Sequence, residues 1–445
     1  MGTVFGGVGL GVPDSMELKI ESVDSEARGV ARHNDKVIFV NDALPREVVD
    51  VEIRKKKSNY ETGLITDLKA RSSSRQTPKC PSFGICGGCS FQHAEMKTQV
   101  AIKQRVLEDA FQRIGRVKSE KINSPIVGPS FGYRTRARLS CRYVIKKERV
   151  LVGFRERGRS YVVDMQSCDV LTEWASELLP HLRKVVESLS IKDRVPQIEV
   201  AQGENIMVLA FRLMEEPTED DVAYLKQFGE KYNAAIFIQR GGPKTLYQLY
   251  PEKSIYLAYK NVDYNLVFEF GLSEFTQVNT AVNNVLVRRA MAMMKPCEGE
   301  RIADLFCGLG NFSLPLAKLG AHVIGIEGSE ELVERARKNA NTNGLANSCS
   351  FEKADLFAEG CPPLKTLGKV DKILIDPPRD GAFELVKNLK DIAPKNIVYV
   401  SCNPATLARD AGLLVNEYGY RLKQSCVVNM FPNTSHVESI ANFVK

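Results

Sequence analysis

Residues 397–410 read IVYVSCNPATLARD, an apolar strand that runs directly into the motif SCNP and then into a helix-like stretch. This pattern places Cys402 at the carboxyl end of a strand, where α/β enzymes carry their active sites. Two similar strand ends precede it, DLFCGLGNF at 304–312 and DPPRDG at 376–381. Three such strand ends in order predict an α/β domain that binds a cofactor.

The carboxyl-terminal part of the chain repeats strand, glycine turn and helix. The predicted strands are Arg301 to Phe306, His322 to Glu327, Lys372 to Asp376 and Ile397 to Ser401. This rhythm is typical of a parallel doubly wound sheet, and we assign it to a Rossmann-like domain over residues 271–445.

Two further domains are predicted before it, which makes the chain an α/β multidomain protein. Residues 14–72 alternate short β-type runs with turn residues, a pattern typical of a small antiparallel β-barrel of the oligonucleotide-binding kind. Residues 73–270 mix helical and strand patterns and predict a central α+β domain. We expect its helical part, 93–124, to pack on the carboxyl-terminal domain.

Composition limits the class of protein. A chain of 445 residues with 44% hydrophobic and 26% charged residues is typical of a folded, soluble protein of two or three domains. The segment Met1 to Pro13 has no basic leader, and no apolar run approaches the roughly 20 residues of a membrane span. We therefore expect a cytoplasmic location and no membrane association.

Positive charge is concentrated in one window. The net charge is +7 overall, whereas residues 131–160 alone contain ten Lys and Arg residues and two Glu residues. Clustered cations of this kind match a polyanion such as RNA. A solvated basic face of a sheet is the alternative interpretation.

The loop at 304–312 has the features of a nucleotide site. Gly308 and Gly310 allow the backbone of a tight turn to approach a ligand, and Glu327 closes the next strand, where a carboxylate can bind ribose hydroxyls. Ser313 stands where a dinucleotide fingerprint has its third glycine, which disfavours NAD. Together with Asp355 and Asp376, the loop resembles a site for S-adenosylmethionine. A Rossmann-like fold without a retained cofactor is the alternative.

The motif that begins at Asp376 narrows the chemistry. Amino-methyltransferases carry an aromatic residue directly after a similar acidic-Pro-Pro motif, but Arg379 stands in that place. Methylation of an exocyclic amine is therefore disfavoured. A thiolate that adds to C6 of uracil makes C5 nucleophilic, and Cys402 is suited to that role because we expect its position at a helix start to raise the thiolate fraction. A buried structural cysteine is the alternative.

A base must then remove the proton from C5 before the thiolate leaves. Glu438 is the candidate, and His436, two residues away, is the second choice because an imidazole has a suitable pKa.

Cysteine spacing predicts a metal site. Cys80, Cys86 and Cys89 form C-x5-C-x2-C with glycines between them, and Cys168 is favoured over Cys141 as the fourth ligand because Cys141 alternates with the basic strand. Eleven cysteines in a chain without a secretion signal do not indicate disulfides. The spacing alone is compatible with zinc as well as with an iron-sulfur cluster.

These motifs together resemble the RNA uracil-5 methyltransferases, most of all the branch that acts on large-subunit (23S) ribosomal RNA. The resemblance runs from about residue 14 to the end, and the barrel resembles a TRAM domain. It implies that Cys402 is the nucleophile and Glu438 the base. It also implies a [4Fe-4S] cluster on Cys80, Cys86, Cys89 and Cys168, and S-adenosylmethionine lined by Gln277, Phe306, Asn311, Glu327, Asp355 and Asp376.

The expected activity is therefore methylation of a uridine at C5 in 23S ribosomal RNA. RNA cytosine-5 methyltransferases are disfavoured because the motif at Asp376 has no second cysteine. Transfer RNA as the substrate and a non-catalytic RNA-binding or chaperone role are the alternatives. We expect no DNA partner. We expect a monomer.

Overall fold

The structure, a computed structural model, describes residues 15–445. Asp14, the first residue of the predicted barrel, and the segment 1–13, on which the expectation of no leader peptide rests, lie outside the described residues. Between residues 15 and 445, no helix combines the length and apolar character needed to cross a membrane.

The amino-terminal unit is a six-stranded, mostly antiparallel sheet with its own small apolar core. Its strands are β1 (Ser15–Lys19), β2 (Ser22–Val23), β3 (Gly29–His33), β4 (Lys36–Asn41), β5 (Val48–Lys56) and β6 (Tyr60–Ala70). They pair in the order β1-β5-β6-β4-β3-β2, and the ladder between β5 and β6 has three irregularities that bend it. Buried Leu18, Ile38, Val40, Val49 and Val51 fill the interior. The predicted strands at 36–40, 48–53 and 64–68 all lie within observed strands.

A segment with little regular structure follows and leads into the first helix, α1 (Met96–Ala110), which continues as a π-helical turn, Phe111–Gly115, and a two-residue strand, β7 (Lys121–Ile122). The predicted helical part, 93–124, includes this helix and turn.

The central unit is built on a mixed six-stranded sheet with the order β13-β12-β11-β10-β8-β9. Its strands are β8 (Arg136–Val144), β9 (Arg149–Gly153), β10 (Gln197–Gln202), β11 (Met207–Arg212), β12 (Ala234–Gln239) and β13 (Leu246–Tyr250). Two helices, α2 (Glu173–Ser188) and α3 (Glu219–Tyr232), share an apolar core with one face of this sheet. A hairpin of β14 (Leu257–Asn261) and β15 (Leu266–Phe270) follows.

The carboxyl-terminal unit is the predicted Rossmann-like sheet. Its strands are β16 (Arg301–Leu305), β17 (His322–Glu327), β18 (Cys349–Lys353), β19 (Lys372–Ile375), β20 (Asn396–Ser401), β21 (Arg421–Val428) and β22 (Glu438–Val444). Its helices are α4 (Thr280–Met294), α5 (Ser313–Lys318), α6 (Glu330–Thr342), α7 (Pro362–Leu367), α8 (Phe383–Lys387) and α9 (Pro404–Asn416). The five strands from β16 to β20 are parallel to one another, as predicted.

The end of the chain adds a feature that the sequence did not predict. The strand order is β18-β17-β16-β19-β20-β22-β21-β7, so that the last strand, β22, inserts antiparallel between β20 and β21. Because β22 begins at Glu438, its start lies at the same edge of the sheet as the end of β20.

Alternate residues of the parallel strands face two apolar cores, as expected for a sheet covered on both sides. On β20, Val398 and Val400 belong to the core that includes α4, whereas Ile397 and Tyr399 belong to the core that includes α8 and α9. This burial on both faces holds the carboxyl ends of the strands in fixed positions.

Helix α1 packs on the carboxyl-terminal unit, against α9 and β21. Gly115 permits this contact, because a Cβ atom there would lie 2.3 Å from the carbonyl oxygen of Ala408. The β14–β15 hairpin, which precedes the predicted boundary at residue 270, also packs on this unit. Its backbone amides at Val267 and Glu269 donate to Asn343 and Asn339 of α6.

Candidate active site

Cys402 lies one residue beyond β20 and one residue before the cap of α9. Asn403 is that cap: its Oδ1 accepts from the backbone amide of Ala405 at 3.0 Å, as favoured at a helix start. The same side chain donates from Nδ2 to the carbonyl oxygen of Arg379, also at 3.0 Å. Asn403 therefore ties the loop that carries Cys402 to the loop that follows β19.

Glu438 lies opposite Cys402 across the end of the sheet. In the antiparallel ladder between β20 and β22, Ser401 pairs with Ser439, so that the next position on each strand brings Cys402 beside Glu438. Glu438 is buried and Cys402 is half-buried. The structure thus brings together the predicted nucleophile and the predicted base.

The electrostatic environment of Cys402 differs from the sequence-based expectation. Burial, together with the carboxyl groups of Glu438 and Asp376, raises the pKa of its thiol to about 11, and only Arg379 among these side chains lowers it. The helix start was expected to favour the thiolate. The pKa of Cys402 is instead raised, because burial and two nearby carboxyl groups act on the thiol.

The two carboxyl groups beside Cys402 are themselves perturbed. Burial raises the pKa of Glu438 to about 7, while the positive charges of Lys103 and Arg379 lower it. Burial also raises the pKa of Asp376 well above its usual range, and Glu438, Asp304 and Glu327 act in the same direction. A carboxyl group that titrates near neutrality is suited to accept a proton at physiological pH.

His436, the second candidate for the base, faces Arg379 and is half-buried. Nη2 of Arg379 lies 3.0 Å from Nε2 and 3.3 Å from Nδ1 of the imidazole. Burial and the positive charges of Arg379, Lys103 and Arg134 lower the pKa of His436. Its ring is therefore engaged by a guanidinium, whereas Glu438 lies at the end of the ladder beside the thiol.

The glycine loop after β16 has the geometry expected of a ligand cradle. Gly308 and Gly310 have φ angles of +54° and +97°, which favour glycine, and a Cβ atom on Gly308 would meet nothing within 4 Å. The backbone amide of Gly308 donates to Glu327 Oε2 at 3.1 Å. The carboxylate of Glu327, the predicted ribose-binding group, therefore fixes the loop.

Other residues predicted to contact S-adenosylmethionine lie around this loop. The ring of Phe306 lies 5.3 Å from that of Phe357, and Asp355 is exposed and accepts from the backbone amide of Phe357. Asn311 Oδ1 accepts from both the Tyr259 hydroxyl and Asn283 Nδ2, at 2.9 Å each. The Asn311 amide is thus held by the hairpin and by α4.

Gln277 lies apart from the glycine loop. It lines a pocket of about 140 Å³ between the central sheet and the hairpin, together with Thr135, Gln202, Tyr259 and Phe270. The link to the loop is Tyr259, which contacts both this pocket and Asn311.

The four predicted cluster cysteines line one common pocket. The lining residues include Cys80, Cys86, Cys89 and Cys168, together with Phe83 and Phe154, and Cys141 is not among them. The backbone amide of Gly88 donates to Cys86 Sγ at 3.4 Å. Within the described part of the chain, no group of three or more His, Cys, Asp or Glu side chains is arranged to hold a single metal ion.

The basic window divides into two sets. Arg136 is committed to structure, because it binds Glu199 and the carbonyl oxygens of Glu274 and Leu272, and Arg157 binds Asp42 of the barrel. The side chains that remain exposed are Arg138, Arg142, Lys146, Lys147, Arg155 and Arg159. The predicted polyanion surface is therefore smaller than the sequence count suggested.

Two structurally important residues were missed by sequence reasoning. Asp410 is buried and accepts from the Tyr399 hydroxyl at 2.7 Å and from the backbone amide of Ala382 at 2.9 Å, so it joins β20 to the loop after β19. Lys103 is buried on α1 and acts on Glu438. The sequence pattern could have indicated its burial, because Lys103 lies between Val100 and Leu107 on the apolar face of the helix.

Comparisons with known proteins agree with this geometry. Residues 95–361 match the family model for tRNA (uracil-5-)-methyltransferases, residues 297–437 match a methyltransferase domain, and residues 14–65 match the TRAM domain. A protein of Nitrosospira multiformis named 23S rRNA (uracil(1939)-C(5))-methyltransferase RlmD is 51% identical over 96% of this chain and 98% of its own. A protein of the same name from Azoarcus sp. is 50% identical over 95% and 98% of the two chains.

A solved structure has the same overall architecture. The tRNA (uracil-54, C5)-methyltransferase of Pyrococcus abyssi, in complex with S-adenosyl-L-homocysteine, matches with a TM-score of 0.71 and 25% identity. The match covers 96% of this chain and all of that one.

Proposed function

The chain belongs to the tRNA (uracil-5-)-methyltransferase family, and we propose that this protein methylates C5 of a uridine in 23S ribosomal RNA, with S-adenosylmethionine as the methyl donor. The target is the uridine equivalent to position 1939, as named in relatives about half identical over nearly the whole chain. The observation that carries the chemistry is the placement of Cys402 and Glu438 next to the Ser401–Ser439 pair, at the end of the sheet.

Cys402 is the proposed nucleophile. Its thiolate adds to C6 of the uracil ring, and the electrons of the C5–C6 double bond move towards the C4 carbonyl to give an enolate. C5 of this adduct is a far better nucleophile than C5 of the free ring. S-adenosylmethionine, when bound, supplies the electrophilic methyl group that C5 takes.

Glu438 is the proposed base for the last step. Its carboxylate takes the proton from C5, the C5–H electrons re-form the C5–C6 double bond, and the C6–S bond breaks to return the Cys402 thiolate. The burial of Glu438, its pKa of about 7 and its position opposite Cys402 support this role over His436, whose ring faces Arg379.

The donor site is proposed on the carboxyl ends of β16 to β19. The open space above Gly308 and the carboxylate of Glu327 fit an adenosyl group, with the carboxylate facing ribose hydroxyls. The proposed contact residues are Gln277, Phe306, Asn311, Glu327, Asp355 and Asp376. S-adenosyl-L-homocysteine in the archaeal relative supports the same ligand class here.

We also propose that Cys80, Cys86, Cys89 and Cys168 hold a [4Fe-4S] cluster. Their sulfurs share one pocket, and an amide donor to Cys86 is the kind of hydrogen bond that cluster thiolates accept. The spacing of the cysteines is compatible with zinc as well, and the resemblance of the motif to that of the RNA uracil-5 methyltransferases favours the cluster.

Replacement of single cysteines tests the ligand set. After anaerobic purification, Cys168→Ser is expected to lose most of its iron and sulfide, whereas Cys141→Ser, the matched control, keeps both. Stoichiometric zinc without sulfide in the unaltered protein would overturn the cluster, and iron loss in Cys141→Ser alone would overturn the choice of ligand.

The domain boundaries proposed are 14–72 for the TRAM-like barrel, 73–270 for the central RNA-binding unit and 271–445 for the methyltransferase unit. The protein would act as a monomer in the cytoplasm, where ribosomal RNA is available. The exposed cations between residues 138 and 159 are the proposed contacts to RNA phosphates.

Incubation with methyl-labelled S-adenosylmethionine and separate 23S and transfer RNA transcripts tests the substrate. Nucleoside mass spectrometry is expected to find labelled 5-methyluridine from 23S RNA alone, and Cys402→Ala is the inactive control. Product from transfer RNA alone would overturn the substrate. Absence of transfer to both RNAs, or full activity of Cys402→Ala, would favour an RNA-binding role or another mechanism.

A further inference from the structure

Lys103 is a buried cation inside the molecule that the reaction described above does not use. It is 1% exposed, although lysine is rarely buried without a charged partner. Its Nζ donates to Asn429 Oδ1 at 2.8 Å and to the carbonyl oxygen of Phe431 at 2.9 Å. Both acceptors are uncharged, so hydrogen bonding alone does not explain why a charge is kept there.

The two acceptors lie in the loop that leads from β21 into Glu438. Residues 429–437 form this loop, which we call the base loop. Lys103 therefore joins α1, a helix far away in sequence, to the segment that presents the proposed base. A neutral residue could make similar contacts, as Gln99 does one turn earlier on α1: its Nε2 donates to Asn433 Oδ1 at 3.1 Å.

What distinguishes Lys103 from Gln99 is its charge. The carboxyl group of Glu438 raises the pKa of Lys103, and the positive charge of Lys103 lowers the pKa of Glu438. Burial lowers the pKa of Lys103, whereas the carboxylate of Glu438 raises it, so each charge offsets part of the cost of burying the other.

We propose that Lys103 is a positioning residue for the final step of the reaction: it fixes the base loop and supplies the positive field that keeps Glu438 ionised and able to take the proton from C5. This inference rests on the proposed role of Glu438. It predicts that thiolate addition and methyl transfer proceed without Lys103, whereas release of the methylated product becomes slow.

Several other groups also face Glu438 and must be kept constant. They are Arg379 and Asp376 from the loop after β19 and Cys402 from the end of β20, and His436 lies two residues before Glu438 in the base loop. Of the two that carry positive charge beside Glu438, Arg379 is exposed and Lys103 is buried. The buried charge is screened less by solvent, so its removal has the larger effect.

The first measurement is the pH dependence of product release with 23S RNA transcripts. A carboxylate base is active above its pKa, so release by the unaltered protein should rise through about pH 7. Lys103→Met removes the positive charge and therefore raises the pKa of Glu438. The rising limb of the plot of release rate against pH then moves to higher pH. Each unit of displacement slows release about tenfold on the acidic side of the limb.

Two variants separate charge from anchoring. Lys103→Arg keeps a permanent positive charge, so its limb should lie at or below that of the unaltered protein. Gln99→Met weakens the same loop without changing the charge, so any loss of rate should leave the limb in place. An unchanged limb in Lys103→Met, or an equal displacement in Gln99→Met, would overturn the proposal.

The second measurement shows which step is affected. RNA transcribed with 5-fluorouridine has no proton at C5, so the covalent adduct persists whenever addition and methyl transfer succeed. Lys103→Met should form this adduct at nearly the normal rate and should accumulate a methylated adduct on ordinary RNA. Loss of the adduct on fluorinated RNA would mean a general structural role and would overturn the proposal.

Failure of the proposed function is recognised separately. If Glu438→Gln releases product normally, the base has been misassigned and the premise fails. If Glu438→Gln accumulates the adduct but Lys103→Met does not, only the inference about Lys103 fails.

Discussion

The environment of single residues explains why the free protein should be unreactive. Cys402 is half-buried between carboxyl groups, and its pKa of about 11 leaves little thiolate at neutral pH. Because the thiolate is the reactive form, we expect this thiol to react slowly with oxidants and alkylating agents in the free protein. The site thus combines a protected nucleophile with a base poised near neutrality.

Alkylation measures this protection directly. At pH 8, iodoacetamide should modify Cys402 much more slowly than exposed Cys297, with the rate rising as pH approaches 11. In Glu438→Gln the loss of a nearby carboxyl group lowers the pKa of Cys402, so alkylation should become faster while Cys297 is unaffected. Peptide mass spectrometry measures both sites, and equal rates at Cys402 and Cys297 would contradict the account.

The buried carboxyl group of Glu438, the proposed base, lowers the free energy of unfolding at neutral and higher pH. The folded-state pKa of Glu438, about 7, lies above its ordinary value of 4.5, so the folded protein loses stability as pH rises between these values. The difference corresponds to at most about 3 kcal/mol of unfolding free energy at pH 8.

Glu438→Gln removes this cost because its side chain does not titrate, but it also leaves buried Lys103 without its carboxyl partner, so the comparison is made in a Lys103→Met background. The double variant should unfold at a higher temperature than Lys103→Met at pH 8, with a smaller advantage at pH 5. Thermal unfolding at the two pH values measures the effect. An advantage that does not depend on pH would show that the carboxyl group is not strained by burial.

At the scale of secondary structure, the loops after β19 and β20 act as one unit. Asn403 caps α9 and donates to Arg379, Asp410 joins Tyr399 to Ala382, and Gly381 adopts a φ of +75° where a Cβ atom would lie 2.7 Å from Arg409 Nη2. These contacts between protein groups therefore hold Cys402 and Asp376 in fixed positions relative to each other.

Two substitutions of Asn403 separate its contacts. Asn403→Ala loses both the cap and the bond to Arg379, and should lower the unfolding free energy by about 1–2 kcal/mol. Asn403→Asp keeps a good cap but cannot donate to Arg379, so it should retain most of the stability and still lose methylation rate. Thermal unfolding and single-turnover rates test this, and equal stability loss in both variants would contradict it.

Much of this element-level structure could be predicted, since the strand ends, the helix after Cys402 and the cysteine motif are local patterns. Three features could not. Strand β22 inserts between β20 and β21 because of pairing between distant segments, the hairpin attaches to α6 through Asn339 and Asn343, and the pKa of Cys402 depends on burial and on Glu438. These depend on tertiary contacts that no local pattern contains.

At the scale of the whole molecule, polar contacts join the barrel, the cysteine segment and the methyltransferase unit. The cysteine segment is residues 71–95, between β6 and α1. Arg75 binds Glu47 of the barrel at 2.5 Å, and the backbone amides of Ser90 and Phe91, next to Cys89, donate to the carbonyl oxygen of Asn433 in the base loop. The cysteine segment is therefore hydrogen-bonded directly to the base loop, which leads into Glu438.

The exposed cations of the central unit should govern RNA affinity. Double substitution of Arg142 and Lys146, which are exposed, by Gln should weaken binding to 23S RNA and reduce the dependence of log affinity on log salt by about 0.7–0.9 for each lost phosphate contact. Arg149→Gln is the control, because Arg149 is paired with Asp164 at 2.7 Å. Equal effects in both variants, measured by filter binding over a salt series, would contradict this assignment.

The most direct test of the central claim uses Glu438→Gln, S-adenosylmethionine and an equimolar mixture of 23S and transfer RNA transcripts. After digestion of protein and RNA, mass spectrometry identifies the joined peptide and nucleotide. The account predicts a peptide containing Cys402 joined to a methylated uridine, from the 23S position equivalent to 1939 in the relatives. An adduct on another cysteine, an adduct from transfer RNA, or methylated RNA released without an adduct would contradict it.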